Sequence, residues 1–431
     1  VIERYQTAEM AKIWSPEAKT QAWFDVELAI CRANEKLKRI PAGTSDDIAK
    51  NASFDLDRMA ELEKETRHDL MAFVRNMAET AGDPGKYIHF GVTSYDVIDT
   101  ALALMLRRSL DVLIRSAQEL RTEIARLAKE HFDTPMIGRT HGIHAEPITF
   151  GFKLAGWHAE MIRHEDRLRR CREDVSVGKV SGPVGVHGVC GPEVEAEVCR
   201  LLNLTPDPAS TQIVSRDRHA TLLNALAVYG ASLERFATEL RNLQRTEILE
   251  VQEAFGSGQT GSSAMPHKRN PWNSETVCGL ARLLRGNAHA MVESVATWHE
   301  RDLTNSSLER IVFPDSFHLA HFMTLRMLAI LKGLQVFPEN MEANLRKMGD
   351  LVFSEHIMVA LVGKGMLRED AYKVAQRNAS KAWEGEDFRK SVEADPDVTA
   401  RLTKEEVDEC FDLQHHLRHV HHTLKAAGVT P

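Results

Sequence analysis

Residues 256–271 read GSGQTGSSAMPHKRNP. Side chains that can carry or pass a proton crowd this stretch, among them Ser262, Ser263, His267, Lys268 and Arg269, and there is little to bury. It contains a formal G-x-G-x-x-G in Gly256, Gly258 and Gly261. It also falls one residue short of a phosphate-binding P-loop, with Ser262 where the lysine should stand. Neither context holds. A dinucleotide loop needs a strand before it and a helix opening on its last glycine. Here the preceding ELRNLQRTEILEVQEAF reads as helix, and Pro266 and Pro271 follow. A plain linker between two helices is the bland reading. A long glycine-rich loop with His-Lys-Arg-Asn between prolines better suits a cover over an active site.

Three other stretches have the same look: TRHD at 66–69, HFGVTSYD at 89–96 and THGIHAEP at 140–147. Each is expected near a helix terminus, where a histidine is often only a cap or a dipole partner. His141 and His144 alone make a weak metal pattern, with two ligands at awkward spacing. In the C-terminal LQHHLRHVHHTLK, His415, His419 and His422 fall on one face if the segment is one helix. A solvated surface helix is the simpler expectation there.

These residues must be held by long helices. From Asp96 to Lys129, Leu102, Met105, Leu106, Leu110, Leu113, Ala117, Leu120, Ile124 and Leu127 recur three and four apart, the helical period. Thr93 or Ser94 can cap its start, with Asp96 near the positive end of the dipole. A second run, Asp217 to Phe255, has no proline and would span roughly 55–60 Å. Further runs cover Ile148 to about Glu173, Ser274 to about Val295 and Ser306 to about Leu334. Rods this long cannot bury all their apolar faces alone, so a bundle shared between subunits of a homo-oligomer is expected. Strand signals are scarce; SVGKVSGPVGVHGV at 176–189 reads as a loop or short hairpin. The expected class is all-α, in three helical domains: 1–93, 94–341 with the loop at 256–271, and 342–431, where the helices become shorter and more polar.

The formal charge of −8 disfavours a general binder of nucleic acid or acidic membrane. An anionic ligand would need a local cluster of cations. The six cysteines are scattered with no C-x-x-C pair, which fits a reducing compartment rather than a disulfide framework or zinc ribbon. No secretory h-region or membrane span is evident, and the cytoplasm is the expected location.

GSSAMPHKRNP resembles the signature loop of the fumarase/aspartase superfamily, and HFGVTSYDVIDTA and GRTHGIHAEPITFG resemble its other two shared segments. IERY at 2–5, EKETRHDLMAF at 63–73, STQIVSRDRHA at 210–220 and WHERDLTNSSLERI at 298–311 resemble the branch that cleaves succinyl-purine nucleotides. The match runs in order along nearly the whole chain. It implies elimination of fumarate from adenylosuccinate, giving AMP, and from SAICAR, giving AICAR. It implies Ser262 as general base, His141 as general acid, His68 and His89 assisting at the substrate, and Glu275 orienting His141. Lys268 and Asn270 would bind the succinyl carboxylates. Arg4, Tyr5, Arg67, Ser306 and Arg310 would hold the phosphate and sugar, with Arg301 close by. Thr93, Ser94, Gln212 and Ser263 would complete the shell, beside Asp69, Arg269 and Ser307 in the same segments. The resemblance further implies sites built from three subunits of a homotetramer, with no metal or organic cofactor. Tyr95 stands where relatives commonly have a small polar residue, and Trp272 where smaller groups are expected. A related lyase acting on argininosuccinate and a non-catalytic structural protein of the same fold are the rival readings.

Overall fold

The computed structural model describes residues 1–256 and 264–430. It is all-α in character. Helices Ser94–Glu130, Phe150–Asp174, Asp217–Leu243, Trp272–Glu293 and Thr304–Lys332 form its long elements. The strands among the described residues are short. No helix among them is long and apolar enough to cross a membrane. The chain divides into two compact units.

The first unit comprises Val1–Gln118, Arg163–Arg235 and Thr276–Arg326. Its Pro16–Lys36 helix starts cleanly: Ser15 accepts from the Ala18 N–H at 3.1 Å, and Pro16 takes the first turn, where its missing N–H costs nothing. Trp23, Val26 and Ile30, three and four apart, bury one stripe of that helix. They pack with Phe73 and Met77 of the Asp69–Ala81 helix and with Val97, Ala101 and Leu104. The second unit comprises Glu119–Ile162, Phe236–Glu275 and Met327–Pro431. There an antiparallel hairpin, Pro135–Thr140 with Ile143–Thr149, inserts Ile137 into a core of Leu345, Phe353, Ile357, Leu361, Phe388 and Phe411.

Several expectations are corrected. The helix from Asp217 ends at Leu243, not near Phe255. Beyond it Leu249 is left-handed at φ 44°, and Val251–Gln252 pairs antiparallel with Gln335–Val336. Glu250 decides this: its carboxylate is wholly buried and takes both nitrogens of the Arg139 fork at 2.6 and 3.0 Å. The 176–189 stretch is mostly loop, as one of the two expected alternatives had it. Val177–Gly178 pairs in parallel with Thr205–Pro206, while Lys179 is drawn inside by Asp96 and the Gly182 carbonyl. THGIHAEP forms the turn and second strand of a hairpin that runs into the start of the Phe150–Asp174 helix. The histidine-rich terminus breaks into Leu413–Leu417 and Val420–Ala426, so His415, His419 and His422 share no single helical face.

Burial of neutral imidazoles gives this fold an acid limit. His219 is pulled down to about 3, by burial first and then by Arg216 beside it, with Asp99, Arg218 and Asp217 also near. His321, held between the hydroxyls of Thr7 and Ser116, is also lowered by burial. The folded chain keeps both rings neutral where the unfolded chain takes up protons, below about pH 6.5. Stability is therefore lost as pH falls from there, by up to about 1.4 kcal/mol per pH unit for each ring. His89, raised as described below, acts in the opposite sense: its contribution is full below about pH 6.5 and fades at higher pH. Urea midpoints are expected to fall between pH 7.5 and pH 5, and His219→Gln should flatten that slope.

Candidate active site

In the first unit a few of the residues expected at the site line one cavity of about 290 Å³. Asp69, Ser306 and Arg310 line it, with Lys19, Tyr95 and Glu309. Arg310 Nη2 lies 2.8 Å from Asp69 Oδ2. Burial lowers the Lys19 ammonium, and the Asp69 charge partly restores it. Arg310, whose fork can take a phosphate or carboxylate, and Lys19 offer the lining's cationic groups to an anionic ligand.

His68 is the N-cap of the Asp69–Ala81 helix, with Nδ1 accepting from the Met71 N–H at 3.5 Å. The neutral ring then carries its proton on Nε2, the tautomer that can donate outward. Arg67 before it is left-handed at φ 50°. His89 is left-handed too, at φ 61°, and its backbone N–H and Nδ1 meet the buried Glu27 carboxylate at 2.9 and 2.6 Å. Burial alone would lower this imidazole; the bond and charge of Glu27 outweigh that and raise it. Non-glycine residues held in this conformation cost strain and cluster at functional sites.

Thr93 and Ser94 stand at the mouth of the Ser94–Glu130 helix, with the Thr93 N–H on Asp96 Oδ2 at 2.8 Å. Arg301 lays its guanidinium 3.7 Å from the centre of the Tyr95 ring and donates to Gln212 Oε1 at 2.9 Å. The Tyr95 hydroxyl bonds Ser306. Thus Tyr95, a departure in the sequence, is a buried platform joining Arg301, Gln212 and Ser306. Arg4 is exposed in the short Glu3–Tyr5 turn, Tyr5 packs edge-on to Phe322, and Ser307 is exposed. Arg4, Tyr5, Arg67, His68, His89, Thr93, Ser94, Gln212, Arg301 and Ser307 lie outside the cavity lining.

In the second unit, His141 and Gly142 form the two-residue turn of the hairpin, at φ 55° and 77°. Thr140 pairs with Ile143 across it. A two-residue turn with both residues left-handed normally favours Asn-Gly, so an exposed histidine there is placed at conformational cost. The Arg139–Glu250 pair anchors the strand just before it. Lys268, Arg269 and Asn270 precede the Trp272–Glu293 helix. The Arg269 carbonyl accepts from Gln244, and its guanidinium lies 5.1 Å from the Phe255 ring centre. Glu253 clamps the helix entrance, taking the Ser274 N–H at 2.8 Å and hydroxyl at 2.5 Å, and Asn273 Nδ2 at 2.9 Å. A carboxylate there satisfies orphan donors at the positive helix end. Glu275 is exposed on the first turn of that helix. Ser262 and Ser263 lie outside the described residues.

A family model described as lyase matches residues 3–286, and one described as adenylosuccinate lyase C-terminus matches residues 350–427. The adenylosuccinate lyase of Synechocystis sp. is 54% identical, covering 97% of this chain and 97% of its own. That of Bacillus subtilis is 45% identical over the whole of both chains.

The chain belongs to the adenylosuccinate lyase family.

Among solved structures, fumarate lyase from Mesorhizobium sp. BNC1 aligns with a TM-score of 0.90 at 28% identity, covering 99% of both chains. The 3-carboxy-cis,cis-muconate lactonizing enzyme of Pseudomonas putida aligns at 0.87 with 27% identity, covering 98% of this chain and 96% of its own. One fold therefore serves a lyase and a lactonizing enzyme, and family membership rests on the closer sequence relatives.

Lys19, Glu27 and Glu253 were not flagged by sequence reasoning. Lys19 and Glu27 sit in an ordinary helical run with no local signal. Glu253 offered one: a carboxylate at the very entrance of the glycine-rich loop.

Proposed function

We propose that this chain eliminates fumarate from adenylosuccinate to give AMP, and from SAICAR to give AICAR. The full-length identity to adenylosuccinate lyases carries the reading. The reaction must take a weakly acidic C–H beside a carboxylate, hold the dianionic carbanion-like intermediate, and protonate the departing nitrogen. Ser262 acts as the base. A serine serves only if its alkoxide is stabilised, which backbone N–H groups of the glycine-rich segment and Lys268 can do. His141, on its strained turn, is the general acid, with Glu275 orienting it. His68 and His89 assist at the substrate, the latter favoured as a cation by Glu27. Lys268 and Asn270, with Ser263 and Arg269, take the succinyl carboxylates. Arg310, Arg301, Arg67 and Arg4 take the phosphate, and Tyr5, Asp69, Thr93, Ser94, Gln212, Ser306 and Ser307 complete the shell.

The working enzyme is a homotetramer whose sites draw on three subunits. Val228, Leu283 and Val292 of the long helices remain exposed, which supports further burial between copies. It needs no cofactor and works in the cytoplasm, where cysteines like the six buried free ones here stay reduced. The division at 94 and 342 into three helical domains belongs to the same proposal.

Arg310→Met is expected to raise KM for adenylosuccinate about ten- to a hundredfold while kcat changes less, because a charge-assisted bond made equally in ground and transition states is lost. The test of the function is an ultraviolet assay with adenylosuccinate, read as equimolar AMP and fumarate. Fumarate from argininosuccinate instead would move the chain to the rival branch, whose substrate has no phosphate for these arginines. No fumarate from any substrate would favour a non-catalytic protein.

A further inference from the structure

The second unit holds a side-chain cluster that the proposed reaction does not use. Glu146 on the Ile143–Thr149 strand, His356 on the Ser354–Gly363 helix and His416 on the Leu413–Leu417 helix bring one ligand atom each within 4.8 Å of one another. They line a cavity of about 630 Å³ together with Glu355, Glu406 and His415.

The hydrogen bonds fix how the two rings present themselves. His416 Nε2 is 2.9 Å from the Pro147 carbonyl, an acceptor only, so Nε2 must carry the proton. The Nδ1 lone pair of His416 then points at His356 Nε2, 2.9 Å away. Two ring nitrogens thus converge on a single proton. A metal ion can take its place, once His356 moves its own proton to Nδ1. Metal–nitrogen bonds of about 2.0–2.1 Å put neighbouring tetrahedral ligands roughly 3.3 Å apart, so the rings need separate by only a few tenths of an ångström. The Pro147 carbonyl is already the kind of outer partner that orients a metal-binding imidazole. Phe353 packs edge-on against both rings, with centroids 5.8 and 6.3 Å away, and limits their rotation. Glu355 lines the same cavity as Glu146. Two acids crowded beside two imidazoles would gain from a cation.

The geometry points to a divalent transition-metal site at Glu146, His356 and His416, with Glu355 or water in the fourth position. Two imidazoles and a carboxylate suit Zn²⁺ and its neighbours rather than Mg²⁺ or Ca²⁺, which prefer oxygen alone. A bound ion would tie the hairpin strand to two C-terminal helices, a structural role that stands whether or not the proposed elimination is correct.

The test uses the full chain, stripped with a chelator and titrated with Zn²⁺ against a chromophoric competitor. One ion per chain at micromolar affinity or tighter is expected, with a rise in melting temperature. Glu146→Gln and the double variant His356→Gln/His416→Gln should each weaken binding by at least about tenfold. His419→Gln/His422→Gln, which alters two other terminal histidines, should leave it unchanged. Circular dichroism without metal shows whether each variant keeps its helices, and the isosteric Glu146→Gln serves if the double variant does not. Co²⁺ in the same site should give the intense visible bands of four-coordination. Failure of the unaltered chain to bind at micromolar Zn²⁺ overturns the proposal. So does undiminished binding in the folded variants of the cluster, or its loss in His419→Gln/His422→Gln.

Discussion

Replacing Ser262 by alanine is expected to lower kcat for adenylosuccinate by about a hundredfold to ten-thousandfold, with KM little changed. The hydroxyl in this role contributes to the transition state and not to ground-state binding, so the loss should fall on turnover. A serine removes a C–H proton only where its conjugate alkoxide is held, so Lys268→Met should cost comparably and also weaken substrate binding. His141→Gln tests the other proton. If Ser262 and His141 serve one elimination, the double variant should be scarcely worse than the poorer single variant, because groups acting as a unit are strongly non-additive. The measurement is steady-state ultraviolet kinetics on the parent and the four variants. Near-normal turnover in Ser262→Ala would remove the serine from the base role and leave the family assignment untouched.

Arg216→Met is expected to destabilise the first unit by about 3–5 kcal/mol. Arg216 is fully buried and serves two carboxylates at once: Asp99 through Nη1 and Nη2 at 2.7 and 2.9 Å, and Glu309 through Nε and Nη2 at 2.7 and 3.1 Å. Asp99 is held below the usual carboxylate range, as the Arg216 charge overcomes burial; Glu309 is raised by burial. Removing the guanidinium strands both acids inside. Taking all three charges away with apolar residues of like size should restore much of the loss, since the ions carry large desolvation penalties of their own. Urea midpoints for the single and triple variants check this. Glu309 lines the cavity beside Arg310, so the single variant should also raise KM. A single variant as stable as the parent would mean that the acids find protons or water at little cost.

The long helices were legible because their apolar residues repeat every three and four positions over many turns, and the observed Ser94–Glu130 and Thr304–Lys332 follow that pattern closely. The site segments were legible for the opposite reason: TRHD, HFGVTSYD and the 256–271 stretch carry polar, reactive residues with few apolar ones among them. The hairpin was not legible. IHAEPIT has no clean alternation, and its strand character comes from pairing with Pro135–Thr140 and from Ile137 reaching the second core. Nor was the stop at Leu243, where a helical pattern runs on until the buried Arg139–Glu250 pair overrides it.

By itself, then, the sequence determined the all-α class, the family and the residue types available for proton transfer and anion binding, because these depend on local periodicity and on chemistry written in short segments. Tertiary structure alone decided which carboxylate each cation meets. It put Glu27 behind His89, Glu253 at the entrance to the Trp272–Glu293 helix and Arg301 on the face of Tyr95. It also set His141 in a left-handed turn and drew Glu146, His356 and His416 together. Such pairings join positions far apart in the chain. Their energies come from burial and distance, which no local pattern encodes.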